Sequence, residues 1–357
     1  MSIPARSTRP PTENSASSAT AAHRGYLYFE GCVRSPQFWH DGGDTLVCVK
    51  ATLYRVHRVL LATHSTLFKD DAIGHMATGE PFMDMTVFVP PWDDLREWEH
   101  ILGFVYNPGR FKKWVEYQRL NELFSLMCTS KALKFETILN LCAERLEMEL
   151  PTTLDAFDAA YAITRHGSIL KATSCISNKA QLFHAINLCV ELDCKRALAC
   201  AYVLALMEAS REEFRNGVEM PGGSHIELHA EAQSALLIGD CIFFPRLLNE
   251  FSGTLLLDKY CRPHCIFAAC QDASEEQEAR LRALISHPMS NGDMVAQRRL
   301  VFAQYWKGGW LEDVFEDMRY SCSESMKAHV SEQRRRSWEQ IPWLFGLGDS
   351  WEDLGRM

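Results

Sequence analysis

The spacing of apolar residues changes along the chain. Near the start they form two short β-rich runs, Thr45-Leu46-Val47-Cys48-Val49 and Thr52-Leu53-Tyr54-Arg55-Val56. So short a gap, Lys50-Ala51, predicts a hairpin. Before it, Phe38 to Gly43 reads as a strand end and a turn. After it, His57-Arg58 leads into a short apolar helix and a Ser65-Thr66-Leu67-Phe68 step. Thr86-Val87-Phe88-Val89 is a further strand, stopped by Pro90-Pro91. From Leu95 the period lengthens: Leu95, Trp98, Leu102 and Val105 recur at helical spacing, and Tyr106-Asn107-Pro108-Gly109 ends that helix. Tyr117, Leu120, Phe124 and Met127 form a second helical face, and Phe135, Ile138, Cys142 and Leu146 a third.

Helices continue downstream. Pro151 with Thr152 and Asp155 marks a capped start, with Leu154, Phe157 and Tyr161 as the buried stripe. Helices over 180–192 and 195–209 follow. Pro221-Gly222-Gly223 is a break, after which Ser224 and Glu227 carry a capping-box signal for a helix near 225–237. A charged helix spans 323–338, and the chain closes on Trp338, Phe345-Gly346-Leu347 and Trp351. A strand-rich region followed by a long helical one predicts an α+β fold, a small mixed sheet with flanking helices, then an all-α region. The expected organisation is a disordered tail over 1–35, a sheet-containing domain over 36–148, a helical region over 149–250 and a cysteine-bearing helical region over 251–357. The tail is rich in Ser, Thr, Ala and Pro, which have little to bury.

Composition narrows the classes. The 357 residues are 47% hydrophobic and 23% charged, enough for a substantial core. A net charge of -9 argues against a nucleic-acid partner, because phosphate binding needs a concentrated basic surface. Arg334-Arg335-Arg336 is the one dense basic run and reads as a solvated helix face. The 13 cysteines are scattered, several in apolar company, which suits reduced buried thiols. No apolar run approaches the ~20 residues of a membrane helix. No Asn-x-Ser/Thr acceptor is present. These features point to the cytoplasm or nucleus, with no membrane partner.

Few motifs carry chemistry. There is no Gly-rich phosphate loop, no Gly-x-Ser-x-Gly elbow and no His-Glu-x-x-His, so no catalytic residue is assigned and no enzyme is expected. His225 and His229 stand four apart, a spacing that suits two metal ligands on a helix. Cys261, Cys265 and Cys270, with His264 nearby and Cys322 later, are candidates for structural zinc. Their competing reading is a set of buried reduced thiols, and Ser325 occupies the place of a second Cys-x-x-Cys thiolate. Asp70-Asp71 and Asp93-Asp94 are read as solvated or helix-capping acids.

The run Asp44 to Val49, then Tyr54 to Leu61 and Ser65 to Phe68, resembles a BTB/POZ domain. The Val87 strand, the helix ending in Phe104-Val105-Tyr106 and the Trp114 to Leu146 segment agree with it in order. The resemblance covers residues 37–147. The late cysteines and the tryptophan-rich ending resemble BTB-domain proteins of mushroom-forming fungi. The likeness implies that Asp44 and Arg58 are paired pocket charges, although a hairpin-end acid and a helix-start base fit them equally. It implies that His57 is a structural helix-start residue and that Ser65 and Tyr106 belong to the pocket and core. Leu60, Leu61 and Phe68 become core, with an edge available to a dimer partner. The implied role is a homodimer that binds protein partners without catalysis or a cofactor. Alternatives are a substrate adaptor docking on a cullin-type ubiquitin ligase, a structural zinc-binding helical domain and a transcription-associated regulator.

Overall fold

The computed structural model describes residues 31–69, 85–90, 94–161, 169–170, 176–220, 223–255 and 320–355. The fold is mixed α+β, with a small sheet and many helices. Contacts divide the chain into two units. The first holds Met1–Trp114 with Ser125–Leu139, and the second Val115–Phe124 with Asn140–Met357. The divisions fall within helices.

In the first unit, β1 (Val33–Trp39), β2 (Thr45–Val49), β3 (Thr52–Val56) and β4 (Thr86–Phe88) form a sheet of order β1-β3-β2-β4. The expected hairpin is present: β2 and β3 pair antiparallel from Thr45 opposite Val56 to Val49 opposite Thr52. Lys50 turns the chain in the left-handed region at φ 52°. The two outer strands pair in parallel, β1 with β3 and β4 with β2. In β1, Val33 and Arg34 pair with Thr52 and Leu53. Gly43 is required where the β1–β2 turn crosses the hairpin, since a Cβ there would lie 2.9 Å from the Val56 nitrogen.

Helices α1 (Arg58–His64), α2 (Thr66–Lys69) and α3 (Leu95–Tyr106) complete most of this unit. Asp94 caps α3, its side chain accepting the N–H groups of Arg96 and Glu97, in keeping with the helix-start acid expected there. Asn107 ends α3 and also starts α4 (Pro108–Val115), its Oδ1 accepting the Arg110 N–H at 3.1 Å. The break read at Asn107-Pro108 is thus a junction between helices, with Pro at the first helical position. Helices α5 (Leu120–Ala132) and α6 (Glu136–Glu149) supply residues to both units. The core of the first unit is aromatic. Phe68 packs edge-on to Phe88 at 5.2 Å between ring centroids, and Phe88 likewise on Trp98 at 6.0 Å.

The second unit is helical: α7 (Leu154–Ala160), α8 (Lys179–Leu192), α9 (Lys195–Glu208), α10 (Arg211–Asn216), α11 (Ala230–Leu255), α12 (Tyr320–Glu339) and α13 (Ile341–Leu344). The α7 cap is Thr153, which accepts the Ala156 N–H, one residue beyond the Thr152 expected. α8 turns into α9 through Asp193 in the left-handed region, with Cys194 N–H bonded back to Cys189 O at 2.8 Å. α9 is buried along nearly its whole length.

The helix expected near 225–237 is corrected. His225–Ile226 is a short strand, β6, paired with β5 (Val218–Glu219), and the helix starts at Ala230. The Ser224/Glu227 signal lost to this local pairing. The reciprocal capping box is Ser210 with Glu213, at the start of α10. Among the described residues no helix is long and apolar enough to cross a membrane.

Candidate functional site

The start of α1 brings several sequence-predicted residues together. His57 occupies the cap position, but its side chain makes no capping hydrogen bond. Asp44, from the far end of the hairpin, does so instead: its Oδ1 accepts the Arg58 N–H at 2.7 Å. An orphan helix donor is thereby satisfied, a contribution of about 1 kcal/mol. The contact involves the Arg58 amide, so a capping role for Asp44 needs no charge pair with the Arg58 guanidinium.

His57 turns towards the end of α3. The Tyr106 hydroxyl accepts the His57 N–H at 3.1 Å and lies 3.0 Å from His57 Nδ1. Burial pushes the Tyr106 pKa up. The His57 amide bond opposes that shift, and the Asp44 charge adds to it. The phenol therefore keeps its proton, which is available to the imidazole. Tyr106 also stacks on His40, with 4.2 Å between ring centroids.

The remaining members of the predicted set are core. Leu61 and Phe68 are buried, and Leu60 is half-buried. Ser65 ends α1 and donates its hydroxyl to Leu133 O at 2.6 Å.

Sequence reasoning missed the surface beside these residues. An open cleft of about 520 Å³ lies between the end of β1, α3 and α4. Phe38, Phe111, Trp114 and Tyr106 give it aromatic walls, and Gln37, Asn107, His40, His100, Glu99 and Arg110 give it polar groups. His100 packs on Trp114 at 4.1 Å between centroids. Among the described residues, His40 Nε2 is buried without a hydrogen-bond partner. Its walls offer stacking surface and both signs of charge, the chemistry of recognition. The signal was scattered: His40 precedes the Asp41-Gly42-Gly43 turn, and the α4 residues follow a Pro-Gly pair that reads as a break.

One wall is braced from behind. Ser125 and Thr129 of α5 both donate their hydroxyls to the Glu97 carboxylate of α3. Burial raises the Glu97 pKa, against the opposing Thr129 hydrogen bond. A carboxyl raised on folding contributes stability that is present below its unfolded pKa of about 4.3 and is lost as pH rises through the folded value. Glu97→Gln is therefore expected to remove a pH dependence. Urea unfolding of both proteins across the acid range checks this. The stability difference, native minus variant, should fall as pH rises, and a constant difference would refute it.

The metal candidates fare differently. His225 lies in β6 and bonds Asn216 O through Nε2, whereas His229 precedes α11 and faces Glu191 at 3.3 Å. The two do not share a helix face, which corrects that expectation. Cys261, His264, Cys265 and Cys270 lie outside the described residues, and Cys322 is described only by its place in α12. Among the described residues, no group of three His, Cys, Asp or Glu side chains is arranged to hold a metal ion.

No protein-family model and no curated protein matches this chain.

Proposed function

We propose that the chain is a non-enzymatic protein-interaction protein whose first unit is a BTB/POZ-type module that self-associates and presents partners. The observation that carries this reading is the order of elements: a hairpin, two helices, a strand parallel to β2, then a helix returning to the start of α1. That order accompanies the resemblance of Asp44 to Phe68. Exposed apolar residues on the same unit support self-association. Val59 on α1 and Val33 on β1 are each 67% exposed. Burying such side chains against a second copy gains roughly 1.5–3 kcal/mol each. The aromatic cleft supports the presentation of partners.

Size-exclusion chromatography with light scattering tests the reading. The expected result is a species of two chains, converted to one chain by Val59→Asp. A strict monomer at micromolar concentration would sink the self-association.

A further inference from the structure

The aromatic cleft has a gap in its floor. α4 folds back along α3: Phe111 meets Phe104 edge-on at 5.3 Å between ring centroids, and Trp114 lies 4.1 Å from His100. Both helices therefore line the cleft along its length, with the Asn107 corner at one end.

Gly103 sits within the α3 stretch that lines the cleft. A glycine inside a helix lowers stability relative to alanine. Close packing does not call for it, because a Cβ at Gly103 would meet nothing within 4 Å. What the glycine does is leave space. His100 and Tyr106 stand three residues to either side of it, on the same helix face. Each carries a second ring: Trp114 on His100, and His40 on Tyr106 at 4.2 Å between centroids. Six residues of helix set the two ring pairs about 9 Å apart along the axis. A ring in contact on both faces needs roughly 7–8 Å. The slot over Gly103 thus has the width of one planar ring. Its further wall is already fixed: His57 holds the Tyr106 hydroxyl, and the His40 N–H donates to Arg55 O at 2.9 Å. Binding there orders few side chains anew.

The two ends of the cleft carry opposite charge. Glu99 stands beside His100, and Arg110 lies in the first turn of α4, beyond the corner; both are exposed. About 12 Å of helix rise separates Glu99 from that corner. Roughly four residues of extended chain span the same length. An open cleft with exposed charges at both ends does not enclose a free ring as a small-molecule pocket does.

We propose that the cleft binds an extended peptide of a partner protein, with an aromatic side chain in the slot over Gly103, a basic residue towards Glu99 and an acidic one towards Arg110. This names the partner chemistry of the interaction reading above and rests on it.

The probe is a dye-labelled pentapeptide, Lys-Ala-Phe-Ala-Glu, titrated with the full chain and followed by fluorescence anisotropy. Saturable binding below about 1 mM is expected. Exchanging its Phe for Ala should weaken binding at least roughly tenfold. Glu-Ala-Phe-Ala-Glu should bind the native chain at least about threefold more weakly, a gap that narrows in salt. The Glu99→Lys chain should instead prefer it. Gly103→Met fills the slot and should weaken binding of the first probe at least roughly tenfold, while its thermal midpoint stays at or above the native one. If that variant does not fold, Glu99→Lys, a change at an exposed position, decides alone. No saturation, equal binding of the Phe-free probe, unchanged binding in folded Gly103→Met, an unaltered preference in Glu99→Lys or displacement by free toluene at the probe's own concentration would each overturn the proposal. Light scattering on the same sample keeps the two readings apart. A two-chain species that binds no probe overturns the peptide site alone, and a monomer that binds it overturns self-association alone.

Discussion

Replacing Phe68 by alanine is expected to destabilise the first unit by about 4 kcal/mol. The ring is fully buried and meets rings from two other parts of that unit. It meets Phe88 of β4 edge-on and Phe135 at 6.0 Å, and it follows directly on the α1–α2 junction at Ser65. Alanine removes the apolar area and leaves a cavity that the neighbours cannot close. Both β4 and the segment around Phe135 are held by other contacts, through Val87 paired with Leu46 and Leu133 O accepting from Ser65. Phe68→Leu keeps most of the volume and should cost roughly 1.5 kcal/mol. Urea unfolding gives both values from the shift in midpoint at constant slope. A loss below about 1 kcal/mol for Phe68→Ala would show that the site collapses on itself or that the ring is not core.

Trp338 plays a comparable part in the second unit. Its indole stacks on Trp351 at 5.3 Å and 11° and lies 5.0 Å from Phe157. Its Nε1 donates to Thr152 O at 3.0 Å, while its own carbonyl accepts from Trp351 Nε1 at 2.7 Å. The residue therefore ties the α12 end, the start of α7 and the closing turn together. Trp338→Ala is expected to cost about 3–5 kcal/mol. Trp338→Phe keeps much of the packing but leaves the Thr152 carbonyl without its donor, a loss of about 1–3 kcal/mol. Thermal unfolding of the two variants separates packing from hydrogen bonding. Equal losses would mean that the indole N–H carries nearly the whole effect, and no loss in either would remove Trp338 from the core.

What the sequence made legible follows from the strength of local patterns. The hairpin stood out because two β-rich runs flank a two-residue turn, and α3 because its apolar residues repeat on one face behind the Asp94 cap. α8 and α9 were legible through length and apolar density. β1 was only half-seen, since Val33, Arg34 and Pro36 look outward and its pairing with β3 is non-local. α4 was hidden because Pro108 and Gly109 signal a break, although Pro is well suited to a first helical turn. The helix near 225 failed because Ser224 and Glu227 mimic a cap, while Val218 and Ile226 pair across the break. The site shows the same division. Asp44, His57, Arg58 and Tyr106 were named one by one, but their meeting depends on a hairpin folding onto the end of a helix 49 residues away. The cleft residues, drawn from three elements, carry no spacing that a linear reading can detect.

The parallel pairing of β4 with β2 has a consequence for synthesis. All five residues of β2 are buried, yet one side of that strand is completed only when Thr86 arrives opposite Thr45. The hairpin needs only residues that leave the ribosome early, and hairpins close in about 1–10 μs. A nascent chain that has not yet delivered β4 therefore presents an open, apolar strand edge, a template for pairing between chains. Premature termination between Val56 and Thr86 should thus yield fragments prone to aggregation, whereas truncation within α11 or later should spare the sheet.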